Sequence, residues 1–333
     1  MLRMTRRLRR GLVALGLTVV VISALGSCAL RTMTVAGVPT IAPRAALPSV
    51  DPARLRADVE KLSLGFPGRS YGAPQVLDVA AAWIGDELRA MGASPADQPF
   101  TVEKVTYRNV LAHFGPETGP RVVVGAHYDA AEGFPAADDN ASGVAALLAL
   151  SRVWAKQPPG ARVDVVFWSL EEPPSYATDA MGSVHHARAL VKQGVAIRAV
   201  LSLETLGTYD DTPGSQHFPA PGLGLLYPDR GDFVAVVGDT GCGPLLAEVK
   251  GAMRGAGTIP VHAMAGPAWV PGIDWSDHRS YRPFGVPAVM ITDTAPFRNP
   301  RYHTADDRPD RLDYVRLAKA TQAVWAAVDH LAR

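Results

Sequence analysis

Cysteine is nearly missing from this chain, which holds only Cys28 and Cys242 among its 333 residues. Charge of one sign is missing too: 33 Lys and Arg face 32 Asp and Glu, a net charge of +1. That balance gives no global field to draw the chain onto nucleic acid, and no stripe of Lys and Arg interleaved with aromatics is present, so nucleic acid is not an expected partner. Internal repeats and low-complexity tracts are absent as well. What remains is a chain that is 47% hydrophobic, long enough for one large domain or two small ones and too apolar to be disordered.

The charge that stands out is local. Arg3, Arg6, Arg7, Arg9 and Arg10 precede an apolar run at 11–25, which is short for a membrane span of about 20 residues. Basic, then apolar, then small residues is the order of a secretory signal. The run closes on Leu25-Gly26-Ser27-Cys28, which resembles the bacterial lipobox. That resemblance implies cleavage after residue 27, a diacylglyceryl anchor on Cys28 and a place at the bacterial cell envelope, facing the periplasm or exterior. An uncleaved anchor helix is the alternative, and it leaves the domain on the same side. Cys242 is then the one thiol of the mature chain, without a partner for an intramolecular disulfide, and among Gly241, Gly243 and Pro244 it reads as structural.

Residues 28–50 carry no helical or strand period and read as a flexible tether, so the folded domain is expected at 51–333. Asp51-Pro52 opens a helix with Leu55, Val59 and Leu62 at helical spacing, and a second helix is expected over 74–91. After strand-like stretches within 100–114, short apolar strands at 122–126, 163–169, 196–203, 233–237 and 286–292 are separated by helices at 142–155, 182–193, 244–256 and 309–332. Near-continuous Val, Ile and Leu runs divided by helices predict an α/β fold. Its form is a three-layer α/β/α sandwich with a mixed, mostly parallel central sheet. Ligands bind such sheets beyond the carboxyl ends of the strands. The Gly- and Pro-rich loop 207–232 is too long for a mere connector and is expected to shape the mouth of a site.

His and acidic residues collect at those strand ends. His127 and Asp129 follow the first buried strand, Asp138 and Asp139 precede a helix, Glu171 and Glu172 follow the second strand, and Glu204 follows the third. His303 lies in a loop after the strand that ends at Thr292. Imidazole nitrogens with carboxylate oxygens are zinc donors, and two zincs about 3.5–4 Å apart need a bridging carboxylate. Asp129, two residues after His127, can sit behind the imidazole and accept its second N–H. Neighbours such as Glu171 and Glu172 do not both reach one ion from the same direction, so one can bind metal while the other serves as general base.

These residues resemble the co-catalytic dizinc peptidases (clan MH), the family of bacterial leucyl aminopeptidase and glutamate carboxypeptidase II, with glutaminyl cyclase and the catalytically dead transferrin receptor as relatives. The matching pieces are Gly125-Ala126-His127-Tyr128-Asp129, Ala137-Asp138-Asp139-Asn140-Ala141-Ser142-Gly143, Leu170-Glu171-Glu172-Pro173 and Tyr302-His303-Thr304-Ala305-Asp306-Asp307. Four ordered motifs are far more specific than any one. The resemblance implies a zinc-peptidase (phosphorylase/hydrolase-like) fold and two Zn2+ per chain, with His127 and Glu204 on one, Glu172 and His303 on the other, and Asp139 between them. It also implies Glu171 as general base and Tyr302 as a donor to the oxyanion. Two departures stand out: Glu204 occupies a position that is often Asp, and the stretch 173–183 is longer than in compact aminopeptidases.

The expected activity is therefore zinc-dependent exopeptidase action on a peptide, most simply as an aminopeptidase. Asp274 and Asp277 are candidates to meet the substrate's α-amino group, against plain loop capping. A single-zinc glutaminyl cyclase would need Asp139, Glu172 and His303 but not His127 and Glu204. A non-catalytic peptide-binding envelope lipoprotein on the same fold is the alternative of another class. His185 and His186 are expected at the surface, His217 and His262 have no motif around them, and Asp306 and Asp307 are expected to lead into the last helix.

Overall fold

The apolar stretches pair into one eight-stranded sheet in a computed structural model that describes residues 30–333 and Gly26. The remaining residues expected to form a signal peptide, and Cys28, lie outside the described residues. Helix α1 (Pro52–Gly65) starts where Asp51 accepts the Ala53 N–H at 2.9 Å, and it buries Leu55, Val59 and Leu62. Helix α2 (Pro74–Ala90) leads to the hairpin β1 (Ala96–Val102) and β2 (Val105–Phe114). Then follow β3 (Arg121–His127), α3 (Gly143–Lys156), β4 (Arg162–Trp168), α4 (Gly182–Lys192), β5 (Ile197–Glu204), β6 (Val234–Asp239), α5 (Gly243–Ala256), β7 (Val261–Gly266), β8 (Ala288–Thr292) and α6 (Tyr314–Leu331).

The strand order is β1-β2-β4-β3-β5-β8-β6-β7. The central four, β4-β3-β5-β8, are parallel. β2 joins them antiparallel at one side and β6 at the other. The main core lies between the sheet and α1, α2, α3, α5 and α6. A smaller core packs Ala187 and Leu190 of α4 with Tyr281 against Val123, Val166 and Val200 on the opposite face. This is the expected α/β/α arrangement. Farther along that second face, Phe233, Ala235, Val237, Met264 and Met290 are covered by loop residues such as Val270 and Ile273.

Several local expectations change. β7 was not foreseen, because Val261-His262-Ala263-Met264 is a short edge strand with little apolar alternation. The last helix does not begin at 309: Pro309–Arg311 is a single turn, Leu312 is extended, and α6 starts where Asp313 accepts the Arg316 N–H. His186 is buried, its Nδ1 2.6 Å from the Tyr281 hydroxyl, rather than at the surface.

Residues 34–50, read as a flexible tether, are laid against α5 and α6. Lys250 Nζ donates to the carbonyls of Thr34 and Val35, both at 2.9 Å, Ile41 N donates to Gly251 O at 2.9 Å, and Gln322 donates to Pro48 O at 2.8 Å. Gly251 and Gly255 permit this approach, since a Cβ on Gly255 would collide with Ile41 O. The segment has no regular structure, but its Val35, Val38, Ile41, Leu47 and Val50 still bury against the core. Among the described residues no helix is long and apolar enough to cross a membrane.

Candidate metal centre and active-site cleft

Because β4, β3 and β5 run parallel, their carboxyl ends emerge side by side and place His127, the Glu171-Glu172 pair and Glu204 on one sheet edge. Gly125 makes room two residues before His127, since any Cβ there would strike the Trp168 ring. The turn Ala137–Ser142 brings the two aspartates to the same edge. Asn140 fastens it to β5, donating to Leu203 O at 2.8 Å and accepting from Gly143 N and Thr205 N at 3.1 Å.

The turn sends its two carboxylates in different directions. Asp138 is consumed by Gly207 N, the Thr208 hydroxyl and Asn299 Nδ2, a structural set of partners. Asp139 faces both histidines: Oδ1 lies 3.2 Å from His127 Nε2 and Oδ2 3.0 Å from His303 Nε2. Glu204 Oε2 is 3.3 Å from His127 Nε2, and Glu172 Oε1 is 3.3 Å from His303 Nε2. Two clusters result, His127-Asp139-Glu204 and Asp139-Glu172-His303, each with ligand atoms within 4.8 Å of one another. Asp139 belongs to both.

The donor set of each cluster fits zinc. Nitrogen and oxygen donors converge, and the buried His127 Nε2, Asp139 Oδ1 and Glu172 Oε1 have no hydrogen-bond partner within the protein. Buried polar atoms that lack a hydrogen bond are costly, and a bound cation would offset that cost. Burial, then the Asp139 charge, pushes Glu172 up to about 7, and burial does the same to Glu204. Burial disfavours a charged His127, yet Glu204, Asp129 and Asp139 outweigh it and raise its pKa. His303 rises to about 10 in the same way, with Asp139 and Glu172 outweighing its burial.

Asp129 sits behind the centre, with Oδ1 3.4 Å from His127 Nδ1 and both oxygens accepting backbone N–H bonds from Glu171 and Glu172 at 3.1 and 3.0 Å. One carboxylate thus orients the His127 imidazole and the loop carrying the acidic pair. Glu171 belongs to neither cluster; it lines the cleft, and burial followed by neighbouring carboxylates raises its pKa well above the usual range. Tyr302 also lines the cleft and stacks on His303 with ring centroids 4.0 Å apart.

Other expectations fall elsewhere. Asp274 pairs with Arg279 at 3.5 Å, and Asp277 is fully buried, so neither is among the residues lining the cleft. Asp307 does not lead into α6; its carboxylate accepts the backbone N–H of Asp138 at 2.9 Å and of Asp139 at 3.2 Å. Three contributors carried no motif. Arg69 is fully buried and donates to the carbonyls of Tyr128, Pro135 and Ala136, tying the β3 end to the aspartate turn. Ser276 donates to Glu204 Oε2. His262 lies in the cleft wall.

The cleft encloses about 350 Å3 and is largely apolar, with Phe218, Leu223, Tyr227, Trp275 and Phe297 around it. Loop 207–232 supplies the first three, as its length suggested. Acidic Asp139, Glu171, Glu172 and Glu204 stand at one end. Among the described residues that line it there is no Lys or Arg.

The sequence model of a family described as peptidase family M28 matches residues 109–328. An uncharacterized protein of Escherichia coli (strain K12), YfbL, is 39% identical over 291 residues, which cover 84% of this chain and 89% of that protein. Among solved structures, the LapA aminopeptidase of Legionella pneumophila is similar with a TM-score of 0.67 at 18% identity, covering 85% of this chain and 73% of its own. A glutaminyl cyclase of Bacteroides thetaiotaomicron is similar with a TM-score of 0.65 at 20% identity, covering 85% of this chain and 99% of its own. At such identities the structural likenesses concern the fold.

Proposed function

The chain belongs to peptidase family M28, a family of metallopeptidases, and on that premise we propose that it is a dizinc aminopeptidase acting on peptides with a free N-terminus. The observation that carries this reading is the pair of donor clusters that share Asp139 beside Glu171, at one end of a cleft whose lining holds no Lys or Arg to anchor a C-terminal carboxylate. A carboxypeptidase or a peptidase of acidic substrates would need the opposite.

Zinc at the two clusters would be held by His127, Asp139 and Glu204 and by Asp139, Glu172 and His303, where it supplies Lewis acidity to water and to the scissile carbonyl. Glu171 takes the proton of the attacking water and returns it to the leaving amine, a task suited to a buried carboxylate whose proton affinity is raised. Tyr302 stays protonated, since burial and the nearby carboxylates oppose its ionisation, and its hydroxyl is available to the developing oxyanion. Asp129 holds both His127 and the Glu171 backbone in place.

The cyclase reading uses the Asp139-Glu172-His303 cluster alone, and the convergence of His127 and Glu204 on Asp139 favours the two-metal peptidase instead. Metal analysis together with a panel of aminoacyl chromogenic substrates tests the choice. Two zincs per chain with release of N-terminal residues is expected. One zinc with cyclisation of N-terminal Gln, or cleavage only of N-blocked peptides, would overturn it. The same proposal places the enzyme at the bacterial envelope through a lipid on Cys28, supported by the basic, apolar and Leu-Gly-Ser-Cys order of residues 3–28. Metabolic labelling with a fatty acid should mark the wild type and not Cys28→Ser.

A further inference from the structure

The cleft extends away from the metal clusters across the strands at the sheet's edge. Pairing sets Glu204 opposite Thr292, Thr292 opposite Ala235 and Ala235 opposite His262. Residues paired across neighbouring strands present their side chains on one face, and all four line the cleft. At about 4.8 Å per strand, three steps carry this row roughly 14 Å from the Glu204 backbone to the His262 backbone. Thr292 and Ala235 are small, so the middle of the row is hollow. The next row on the same face, Met290, Val237 and Met264, gives the trench an apolar flank.

His262 closes the far end. Its ring meets Phe233 edge-on with centroids 4.8 Å apart and Tyr227 edge-on at 6.1 Å. Among the described residues neither ring nitrogen has a hydrogen-bond partner. Burial, followed by the positive charge of Lys250, keeps this imidazole neutral, with one donor and one acceptor nitrogen. Other polar groups nearby are committed or remote: the Tyr227 hydroxyl donates to Ala263 O at 2.9 Å, Gln216 is bonded to His217 O and Thr294, and His217 is exposed.

We propose that His262 is a specificity-determining residue that selects substrates whose N-terminal side chain has an aromatic body and a hydrogen-bonding tip, tyrosine first and tryptophan second. The inference rests on the aminopeptidase reading for the direction in which the substrate lies. Its physical basis is an asymmetry of binding: a phenolic hydroxyl satisfies the half-buried imidazole, while a phenyl ring of the same shape shields it from water and offers no partner in return. An aliphatic side chain has the same defect and fills less of the trench.

Two measurements on the zinc-loaded full chain test this. In the first, kcat/KM is compared for tyrosyl and phenylalanyl p-nitroanilides, with about a tenfold preference for tyrosyl expected in the wild type. In the second, calorimetry compares tyramine with phenethylamine, which differ only in the hydroxyl; tyramine should bind about tenfold tighter. His262→Phe should bring both ratios to about one, and His262→Gln, which keeps a donor and an acceptor, should retain a preference. Equal wild-type binding of the two amines, or a phenylalanyl preference, overturns the role of His262 whatever the variants do. Retained tyramine preference without any aminoacyl turnover supports the trench and instead sinks the aminopeptidase reading.

Discussion

The Ser276 hydroxyl donates to Glu204 Oε2 at 2.7 Å and is itself 3.0 Å from the Ser202 hydroxyl, so the Glu204 carboxylate is held by a short chain of serines. Glu has one more rotatable bond than the Asp often found at this position in the family, and Ser276 removes that freedom. Ser276→Ala is expected to weaken zinc at the His127-Asp139-Glu204 cluster by roughly 10- to 100-fold and leave the other cluster nearly unchanged. Stepwise titration against a chelator of known affinity reads both sites. Parallel weakening of the two would show that Ser276 acts on the fold rather than on Glu204.

Such contacts mark the line between what the sequence could and could not reveal. His127, the Glu171-Glu172 pair and Glu204 were legible because parallel buried strands are continuous apolar runs, and a polar residue at the end of each run has one place to go; which of the two glutamates faces the metal came only from the family's pattern. Asp139 needed the family's pattern to be preferred over Asp138, and the structure supplies the reason in the partners that occupy Asp138. Asp307 was misplaced because its partners stand 169 and 168 residues away, beyond any local pattern. Arg69 and Ser276 likewise act only through residues that folding brings near. His262 was set aside for want of a motif because an edge strand of six residues offers little periodicity, and its significance comes from the row in which pairing places it.

Glu171 stands beside a metal ligand without joining either cluster, and its backbone is fixed by Asp129 at 3.1 Å. Glu171→Gln keeps the shape and removes the base. Turnover should fall by about 10^2- to 10^4-fold with zinc content unchanged. Metal analysis alongside steady-state kinetics checks both halves, and a variant that loses zinc in step with activity would assign Glu171 to the metal instead.

Gly255 tests whether residues 34–50 are docked or loose. On helix propensity alone, Gly255→Ala in α5 should stabilise the protein by about 1 kcal/mol. Its new Cβ would meet Ile41 O, so the docked segment predicts the opposite sign, a loss of about 1–3 kcal/mol in urea unfolding. A gain in stability would return the segment to the status of a tether.

His186 makes a pH-dependent contribution whose sign is fixed by its burial. Desolvation lowers its pKa to about 4 from the ordinary value of 6.5, and the neutral ring faces the Tyr281 hydroxyl. Between those values the unfolded chain binds a proton that the folded chain refuses, so this contribution is complete above pH 6.5 and is lost as pH falls toward 4. The raised carboxylates Glu172, Glu204 and Asp277 act in the opposite sense in metal-free protein, because their folded forms hold protons that the unfolded chain releases. Total stability against pH therefore mixes the two, and the difference between wild type and His186→Gln isolates the histidine. At pH 7.5 the wild type should be the more stable, and by pH 5.5 the gap should have narrowed by about 1.4 kcal/mol, one pKa unit of linkage. Urea unfolding of both proteins at the two pH values reads it directly; a gap that stays constant would mean that the folded protein accepts the proton at position 186.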